Sequence, residues 1–233
     1  MQERKLETLI LRHGNITGLS KIIEKGEKPP YEEFVRFMTG EIDPPIDRES
    51  TQSLIEQRIR EGKLVKDGFD TIICSRALRA QQTSELIREV AGSSAPVRVS
   101  KYLREILIPM NEITPEFYAQ AENIHEVRRK FMGSFLEGKK VDEDLVQIYR
   151  RAERFLTYFR RIGKHTNKTP LFVSHGIFSR FLDLAARHQE EEFSDDQIKT
   201  MVQEEFATTS RPGVLQGFKL FTSKEGQTIL ELI

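Results

Sequence analysis

Three short apolar runs in this chain each stop at side chains that can do chemistry. Leu9-Ile10-Leu11 precedes Arg12-His13-Gly14, Thr71-Ile72-Ile73-Cys74 precedes Ser75-Arg76-Ala77-Leu78-Arg79, and Leu171-Phe172-Val173 precedes Ser174-His175-Gly176. An imidazole can attack an electrophile or move a proton, and a planar guanidinium can hold the oxygens of an anion. Two histidines and several arginines that are distant in sequence are therefore candidates for one anion-binding site.

The runs have the composition of strands that are buried on both faces of a parallel sheet. Further strands are predicted at 97–99, 214–221 and 228–233, and helices at 31–38, 50–61, 78–90, 142–162 and 178–185. Strands that alternate with helices predict a three-layer α/β/α sandwich with a mainly parallel central sheet. Because ligands bind at the carboxyl ends of such strands, the three polar segments are expected to meet at one edge of the sheet, beside the free N–H groups of the following helix or loop.

The length of 233 residues fits a single domain over residues 1–233. Segments 16–45 and 107–140 contain prolines and glycines among helix-forming patches, and they are predicted to form a small helical cap that selects the substrate. The clearest amphipathic helix spans Asp142 to Ile162, and Gly163 is predicted to end it. Leu78, Leu86, Ile87 and Val90 are predicted to face the core from the helix at 78–90.

Composition excludes several other classes of protein. Lys+Arg and Asp+Glu both number 36, so the formal net charge is zero and no global field attracts nucleic acid or a membrane surface. The single cysteine, Cys74, excludes an internal disulfide, and its place in an apolar strand predicts burial. No pattern of metal-binding histidines or clustered carboxylates predicts a metal site. With no signal-peptide core and no run long enough to span a membrane, we expect a cytoplasmic protein.

Four motifs together resemble the histidine phosphatase superfamily, which includes the cofactor-dependent phosphoglycerate mutases. They are Leu11-Arg12-His13-Gly14, Ser75-Arg76-Ala77-Leu78-Arg79-Ala80-Gln81-Gln82-Thr83, Leu103-Arg104-Glu105 and Ser174-His175-Gly176. They occur in the order of the family, and the resemblance extends from about Leu6 to Ile233. It implies the phosphoglycerate mutase-like fold and phosphatase activity that needs neither a metal nor a cofactor.

The resemblance also implies a role for each matching residue. His13 would be the nucleophile that becomes a phosphohistidine, while Arg12, Arg79 and His175 would surround the phosphate oxygens. Glu105 would protonate the leaving oxygen and then activate water, with Glu112 as the alternative acid. Asn15 and Gly176, which follow the two histidines, are the expected substrate-binding residues. Cations near His13 should lower the pKa of its imidazole and keep the ring nucleophilic near pH 7.

Two departures from the family pattern leave alternatives open. Asn15-Ile16 replaces the Glu-Thr or Glu-Ser that many members have, and the Gly-x-x-Glu-Gly element of many phosphatases is absent between Ile106 and Glu116. A metal-independent phosphomonoester hydrolase is the favoured interpretation. The alternatives are a phosphoglycerate mutase-type phosphotransferase and a phospho-ligand-binding relative without turnover. The expected substrate is a phosphorylated small molecule or a phosphoprotein, and the oligomeric state is not predicted.

Overall fold

The computed structural model describes residues 7–18, 22, 26–64, 68–107, 110–139, 142–165, 169–208, 216–222 and 227–233. These residues include one six-stranded sheet of β1 (Glu7–Arg12), β2 (Thr71–Cys74), β3 (Val97–Val99), β4 (Pro170–Ser174), β5 (Gly217–Thr222) and β6 (Thr228–Leu232). The strand order is β3-β2-β4-β1-β5-β6. Strands β3, β2, β4 and β1 run parallel, whereas β5 and β6 pair antiparallel at one side. The prediction of a mainly parallel sheet is confirmed; Val214, predicted to begin β5, lies outside the described residues.

Eight helices lie within the same described ranges: α1 (Tyr31–Met38), α2 (Arg48–Arg60), α3 (Leu78–Ala91), α4 (Pro115–Gln120), α5 (Ile124–Leu136), α6 (Leu145–His165), α7 (Gly176–Arg187) and α8 (Asp195–Thr208). Local chemistry sets several of their ends. The side chain of Asp47 accepts a hydrogen bond from the Ser50 N–H and so caps α2. Gly92 ends α3 with a left-handed φ of 66°. No helix in these ranges is both long and apolar enough to cross a membrane.

The helices cover both faces of the sheet because successive strand residues point to opposite sides. Ile10, Ile73 and Phe172 belong to a core that includes the inward faces of α6 and α7. Leu11 and Ile72 belong to a second core, which α2 and α3 cover. Cys74 is buried in this second core, as predicted, and burial raises the pKa of its thiol. The three-layer α/β/α sandwich is therefore confirmed.

The register of the parallel strands aligns the three polar segments. Arg12 at the end of β1 lies opposite Ser174 at the end of β4, and Cys74 at the end of β2 lies opposite Val173. The pairing continues one step further, since the His13 N–H donates to the Ser174 carbonyl over 3.0 Å. His13 and His175 consequently leave the sheet side by side at its carboxyl edge.

The two segments predicted to form a cap pack on each other. The Tyr31 hydroxyl donates to the Ile113 carbonyl over 2.8 Å, and the Tyr118 hydroxyl donates to the Pro29 carbonyl over 2.5 Å. The Phe34 ring lies between Tyr118 and Phe131, with ring centroids 5.4 Å and 6.4 Å away. Helices α1, α4 and α5 thus share a core, while the division of the chain into one domain with a cap stays a prediction.

Three local expectations differ from the structure. Helix α6 begins at Leu145, not at Asp142, and continues past Gly163 to His165. The Asp144 side chain caps it by accepting the Gln147 N–H, while Asp142 pairs with Arg104. Leu78, predicted to face the core, is 41% exposed because it is the first residue of α3 and lies at the sheet edge. The predicted helices do not include α8, which buries Ile198 and Val202.

Candidate active site

His13 lies immediately after β1 and is only 3% exposed. Its Nδ1 is 2.8 Å from the Gly14 carbonyl oxygen, which can only accept, so Nδ1 donates and the neutral ring keeps its lone pair on Nε2. Nε2 accepts a hydrogen bond from the Nε of Arg79 over 3.2 Å. The backbone of Gly14 therefore sets the tautomer, and the basic nitrogen of His13 faces a guanidinium.

Arg79 is the centre of the cluster. It lies in the first turn of α3 and is 7% exposed. Besides His13, its Nη2 lies 3.4 Å from Glu105 Oε2 and 3.5 Å from His175 Nδ1. Its Nη1 donates to Asp43 Oδ1 over 2.6 Å. A single buried guanidinium thus contacts both histidines and two carboxylates.

His175 and Glu105 complete the group. His175 is fully buried at the N-terminus of α7, and its ring centroid lies 5.1 Å from that of His13. Its Nδ1 lies 3.1 Å from Glu105 Oε2. The other oxygen of Glu105 accepts the Ile106 N–H over 3.0 Å. The Nε2 of His175 is buried and has no hydrogen-bond partner among the described residues.

These surroundings shift the pKa values of all three groups. Burial and the charges of His175, Arg79 and Arg12 hold the pKa of His13 well below its usual value. Burial likewise lowers the pKa of His175, although Glu105 opposes the shift. Burial alone would raise the pKa of Glu105, but His175, Arg79 and the Ile106 amide outweigh it and hold that pKa far below its usual value. The lowered pKa therefore keeps the His13 ring uncharged at neutral pH.

The other predicted site residues lie around this cluster. Arg12 is half-buried at the end of β1, where its charge acts on His13. The Asn15 amide donates to the Ser50 hydroxyl over 3.3 Å, and its buried Oδ1 has no hydrogen-bond partner within the described ranges. Gly176 is buried as the first residue of α7, where the backbone N–H groups of a helix start can bind an anion.

Glu112, the alternative general acid, has different neighbours. Its carboxylate pairs with Lys139 and Lys130 and accepts the Ser134 hydroxyl hydrogen bond, all within residues 112–139. Arg76, which belongs to the second motif, is exposed in the turn before α3. The contacts of the described residues thus bring Glu105, rather than Glu112, to the two histidines.

Three further residues of the site are not among the predicted site residues, although Thr83 ends the second motif. Asp43 contacts Arg79, and Thr83 Oγ1 accepts the Gly14 N–H over 2.9 Å. Arg151 is buried in α6, where it donates to the Tyr102 and Arg104 carbonyls over 2.9 Å and 3.0 Å and pairs with Glu143. It thus holds the backbone that leads to Glu105. The spacing of Arg151 on α6 gives no signal that distinguishes it from a surface arginine.

Two imidazoles and a carboxylate could also hold a metal ion. Ligand atoms of His13, Glu105 and His175 all lie within 4.8 Å of one another. However, the Arg79 guanidinium contacts all three groups. A fixed positive charge among the ligands opposes a divalent cation and favours an anion. The arrangement is therefore better suited to an anion than to a metal cation.

Comparison with known proteins gives one family match. The family model for the histidine phosphatase superfamily (branch 1) matches residues 9–201. This range contains all four motifs and every residue of the cluster. A search of curated proteins found no match.

Solved structures with the same fold include phosphatases and a mutase. A mycobacterial glucosyl-3-phosphoglycerate phosphatase is 16% identical with a TM-score of 0.60, covering 98% of each chain. A phosphoserine phosphatase from Entamoeba histolytica, in complex with 3-phosphoglyceric acid, is 15% identical with a TM-score of 0.59, covering 97% of this chain and 95% of that one. A phosphoglycerate mutase from Bacillus anthracis is 13% identical with a TM-score of 0.60, covering 99% and 93%. At these identities the likeness establishes the fold alone.

Proposed function

The chain belongs to branch 1 of the histidine phosphatase superfamily, and from this premise we propose that it hydrolyses phosphomonoesters with His13 as the nucleophile. The observation that carries the proposal is the contact between His13 Nε2 and Arg79 Nε, at 3.2 Å. A phosphoryl group that enters between them has a neutral nitrogen to attack it and a guanidinium to hold its oxygens. Phosphoryl transfer needs mostly such positioning and charge stabilisation.

In the first step, the lone pair of His13 Nε2 forms a bond to phosphorus as the bond to the leaving oxygen breaks. The Gly14 carbonyl holds the proton on Nδ1 and stabilises the positive charge that develops on the ring. Glu105 gives its proton to the leaving oxygen, so that an alcohol departs. The product is a phosphohistidine on His13.

Glu105 must gain that proton when the substrate binds, because His175 and Arg79 hold its pKa low in the structure. A phosphate dianion takes both residues as partners and adds negative charge beside the carboxyl group. Both changes raise the pKa of Glu105. Substrate binding thereby converts Glu105 into an acid.

In the second step, the Glu105 carboxylate takes a proton from water, and the oxygen of that water attacks phosphorus. The bond between phosphorus and Nε2 breaks, which returns His13 to its neutral form and releases inorganic phosphate. Arg12, Arg79 and His175 contact the phosphoryl oxygens throughout, while Asn15 and the N–H groups at Gly176 bind the substrate. No metal ion takes part, because the arginines supply the positive charge.

The test is hydrolysis of p-nitrophenyl phosphate in the presence of EDTA. We expect activity that vanadate inhibits and that His13→Ala abolishes, while Arg76→Ala, at an exposed position of the same motif, retains it. Activity that EDTA removes would contradict metal independence. Full activity in the His13→Ala enzyme would contradict the assignment of the nucleophile.

A phosphorylated small molecule is the proposed substrate. A screen should begin with glucosyl-3-phosphoglycerate, phosphoserine and 3-phosphoglycerate, because these compounds appear in the names of proteins with the same fold. It should also contain nucleotides and a phosphopeptide. Exchange of phosphate between sugar phosphates without net release would instead indicate a phosphotransferase, and binding without turnover would indicate a non-catalytic relative. The cytoplasmic location stays a prediction.

A further inference from the structure

Arg79 presents one edge of its guanidinium to the catalytic groups and the other edge to Asp43. Nε and Nη2 point towards His13, Glu105 and His175, at 3.2–3.5 Å. Nη1 donates to Asp43 Oδ1 over 2.6 Å. The Nε–Nη2 edge carries two parallel N–H bonds and is one of the edges that can hold two phosphate oxygens at once. The orientation of this edge therefore decides whether the phosphoryl group is held in line with His13.

Asp43 is itself fixed at both carboxylate oxygens. Oδ2 accepts the Leu78 N–H at the start of α3, where Ala77 in the N-cap position has no side-chain acceptor. The loop that carries Asp43 is anchored as well. The Pro45 carbonyl accepts the Thr17 N–H over 2.9 Å, and Ile46 pairs with Ile16. The carboxylate thus connects the loop that follows the first motif to the backbone and guanidinium of the second.

We propose that Asp43 is a positioning residue, which holds Arg79 so that its Nε–Nη2 edge faces the phosphoryl group on His13. The proposal rests on the proposed function. A long arginine side chain has many rotamers, and a fixed anion at Nη1 removes the entropy cost of choosing the productive one. The Asp43 charge is paired with Arg79 and the Leu78 N–H, which limits its repulsion of a bound phosphate.

The experiment compares Asp43→Asn with the wild type in the full chain. The asparagine side chain keeps one acceptor for the Leu78 N–H, but its NH2 group would face the N–H of Nη1. Misplacing a catalytic group by a fraction of an ångström to 1 Å costs up to about 100-fold, so kcat on p-nitrophenyl phosphate should fall at least about tenfold. The vanadate inhibition constant should rise by a similar factor. The thermal midpoint should move little, because the loop keeps its backbone hydrogen bonds.

Glu41→Gln is the matched control. It removes one negative charge from the same loop, but Glu41 pairs with the exposed Arg36 over 2.8 Å. Its kcat and vanadate inhibition constant should equal those of the wild type. A fall as large as that of Asp43→Asn would mean that loop charge, rather than the contact with Arg79, is responsible, and it would overturn the proposal.

A double-mutant cycle with Arg79→Ala separates positioning from a purely structural role. If Asp43 acts through Arg79, Asp43→Asn should change kcat less than about twofold once the guanidinium is gone. If Asp43→Asn lowers kcat by the same factor in the Arg79→Ala enzyme as in the wild type, the proposal is overturned. A rise in kcat or in vanadate affinity in the single variant would overturn it too, because Asp43 would then compete with the substrate for Arg79.

The same assay distinguishes failure of the proposed function from failure of the role of Asp43. If the wild type shows no hydrolysis that depends on His13, the proposed function fails and the role of Asp43 fails with it. If the wild type hydrolyses the ester through His13 and Asp43→Asn behaves like the wild type, only the role of Asp43 fails.

Discussion

Replacing Gly14 by alanine should force apart the loop after β1 and helix α2. A Cβ atom at this position would lie 3.0 Å from Thr51 Cβ and closer still to Thr51 Oγ1 and Cγ2. Thr51 is fully buried, and its branched side chain has little rotational freedom in a helix. Overpacking of this kind costs about 1–3 kcal/mol. We therefore expect Gly14→Ala to lower the free energy of unfolding by that amount in urea titrations.

The same displacement should impair His13. Gly14 accepts from His13 Nδ1 over 2.8 Å and donates to Thr83 Oγ1 over 2.9 Å, so its backbone sets the direction of the imidazole. A shift of about 1 Å in a reacting group costs about 100-fold in rate. The value of kcat/KM on p-nitrophenyl phosphate should fall by about that factor in Gly14→Ala.

Thr51→Ala provides the control, because it removes both atoms that the new Cβ would meet first. Thr51 Oγ1 is buried and has no hydrogen-bond partner in the described part of the chain, so the substitution leaves no partner unsatisfied. Its own cost is about 1 kcal/mol for the lost methyl group. The double variant Gly14→Ala/Thr51→Ala should regain most of the stability and activity, a non-additivity expected of residues in contact.

Two results would refute this reasoning. Wild-type stability and activity in Gly14→Ala would mean that the loop accommodates a side chain. A double variant that is as impaired as the sum of the single variants would mean that Thr51 is not the obstacle.

Three further predictions concern other parts of the site. Glu105→Gln should slow the hydrolysis of alkyl phosphates far more than that of p-nitrophenyl phosphate, whose leaving group needs little protonation; if Glu112→Gln shows this pattern instead, Glu105 is not the acid. Arg151→Met should lower the free energy of unfolding by about 1–3 kcal/mol, because the Tyr102 and Arg104 carbonyls lose their donor and Glu143 keeps only Arg104 as a partner; wild-type urea titration curves would count against it. The pKa of His13 lies below its ordinary 6.5 in the folded state, so the unfolded chain binds more protons at acid pH. The free energy of unfolding should therefore fall as pH drops below about 6.5, and it should fall less steeply in His13→Asn. Equal pH dependence of the free energy of unfolding in both proteins would disprove this.

The sequence predicts that the two histidines and Arg79 are neighbours, because each of them follows a short apolar run that is typical of a buried parallel strand. Each apolar run had to be a strand, and parallel strands end at the same edge. The register then makes Arg12 and Ser174 neighbours, which places the next residue of each strand in the site.

Asp43 and Arg151 could not be predicted in the same way. Asp43 lies in a proline-flanked loop, where no periodicity indicates the direction of a side chain. Its contact with Arg79 depends on how residues 39–47 cross the start of α3. Arg151 lies on α6, whose hydrophobic pattern predicts the helix but gives an arginine no inward position. Burial of a charged residue depends on tertiary partners, here Glu143 and two carbonyl groups.

The start of α8 did have a readable signal. Ser194 accepts the Gln197 N–H with its side chain, and the Gln197 side chain accepts the Ser194 N–H. This reciprocal pair is a capping box, and Ser-x-x-Gln before an apolar pattern indicates a helix start. The end of α6 had a misleading signal in Gly163. A glycine inside a helix costs only about 1 kcal/mol, and packing can offset that cost.

The most direct test of the phosphohistidine mechanism is to trap the intermediate. The enzyme is quenched in alkali during turnover with EDTA present, digested, and mapped by mass spectrometry. The mechanism predicts a phosphoryl group on the peptide that contains His13, and none in the His13→Ala enzyme. Phosphate on His175, or sustained hydrolysis with no phosphorylated peptide at any time point, would contradict it.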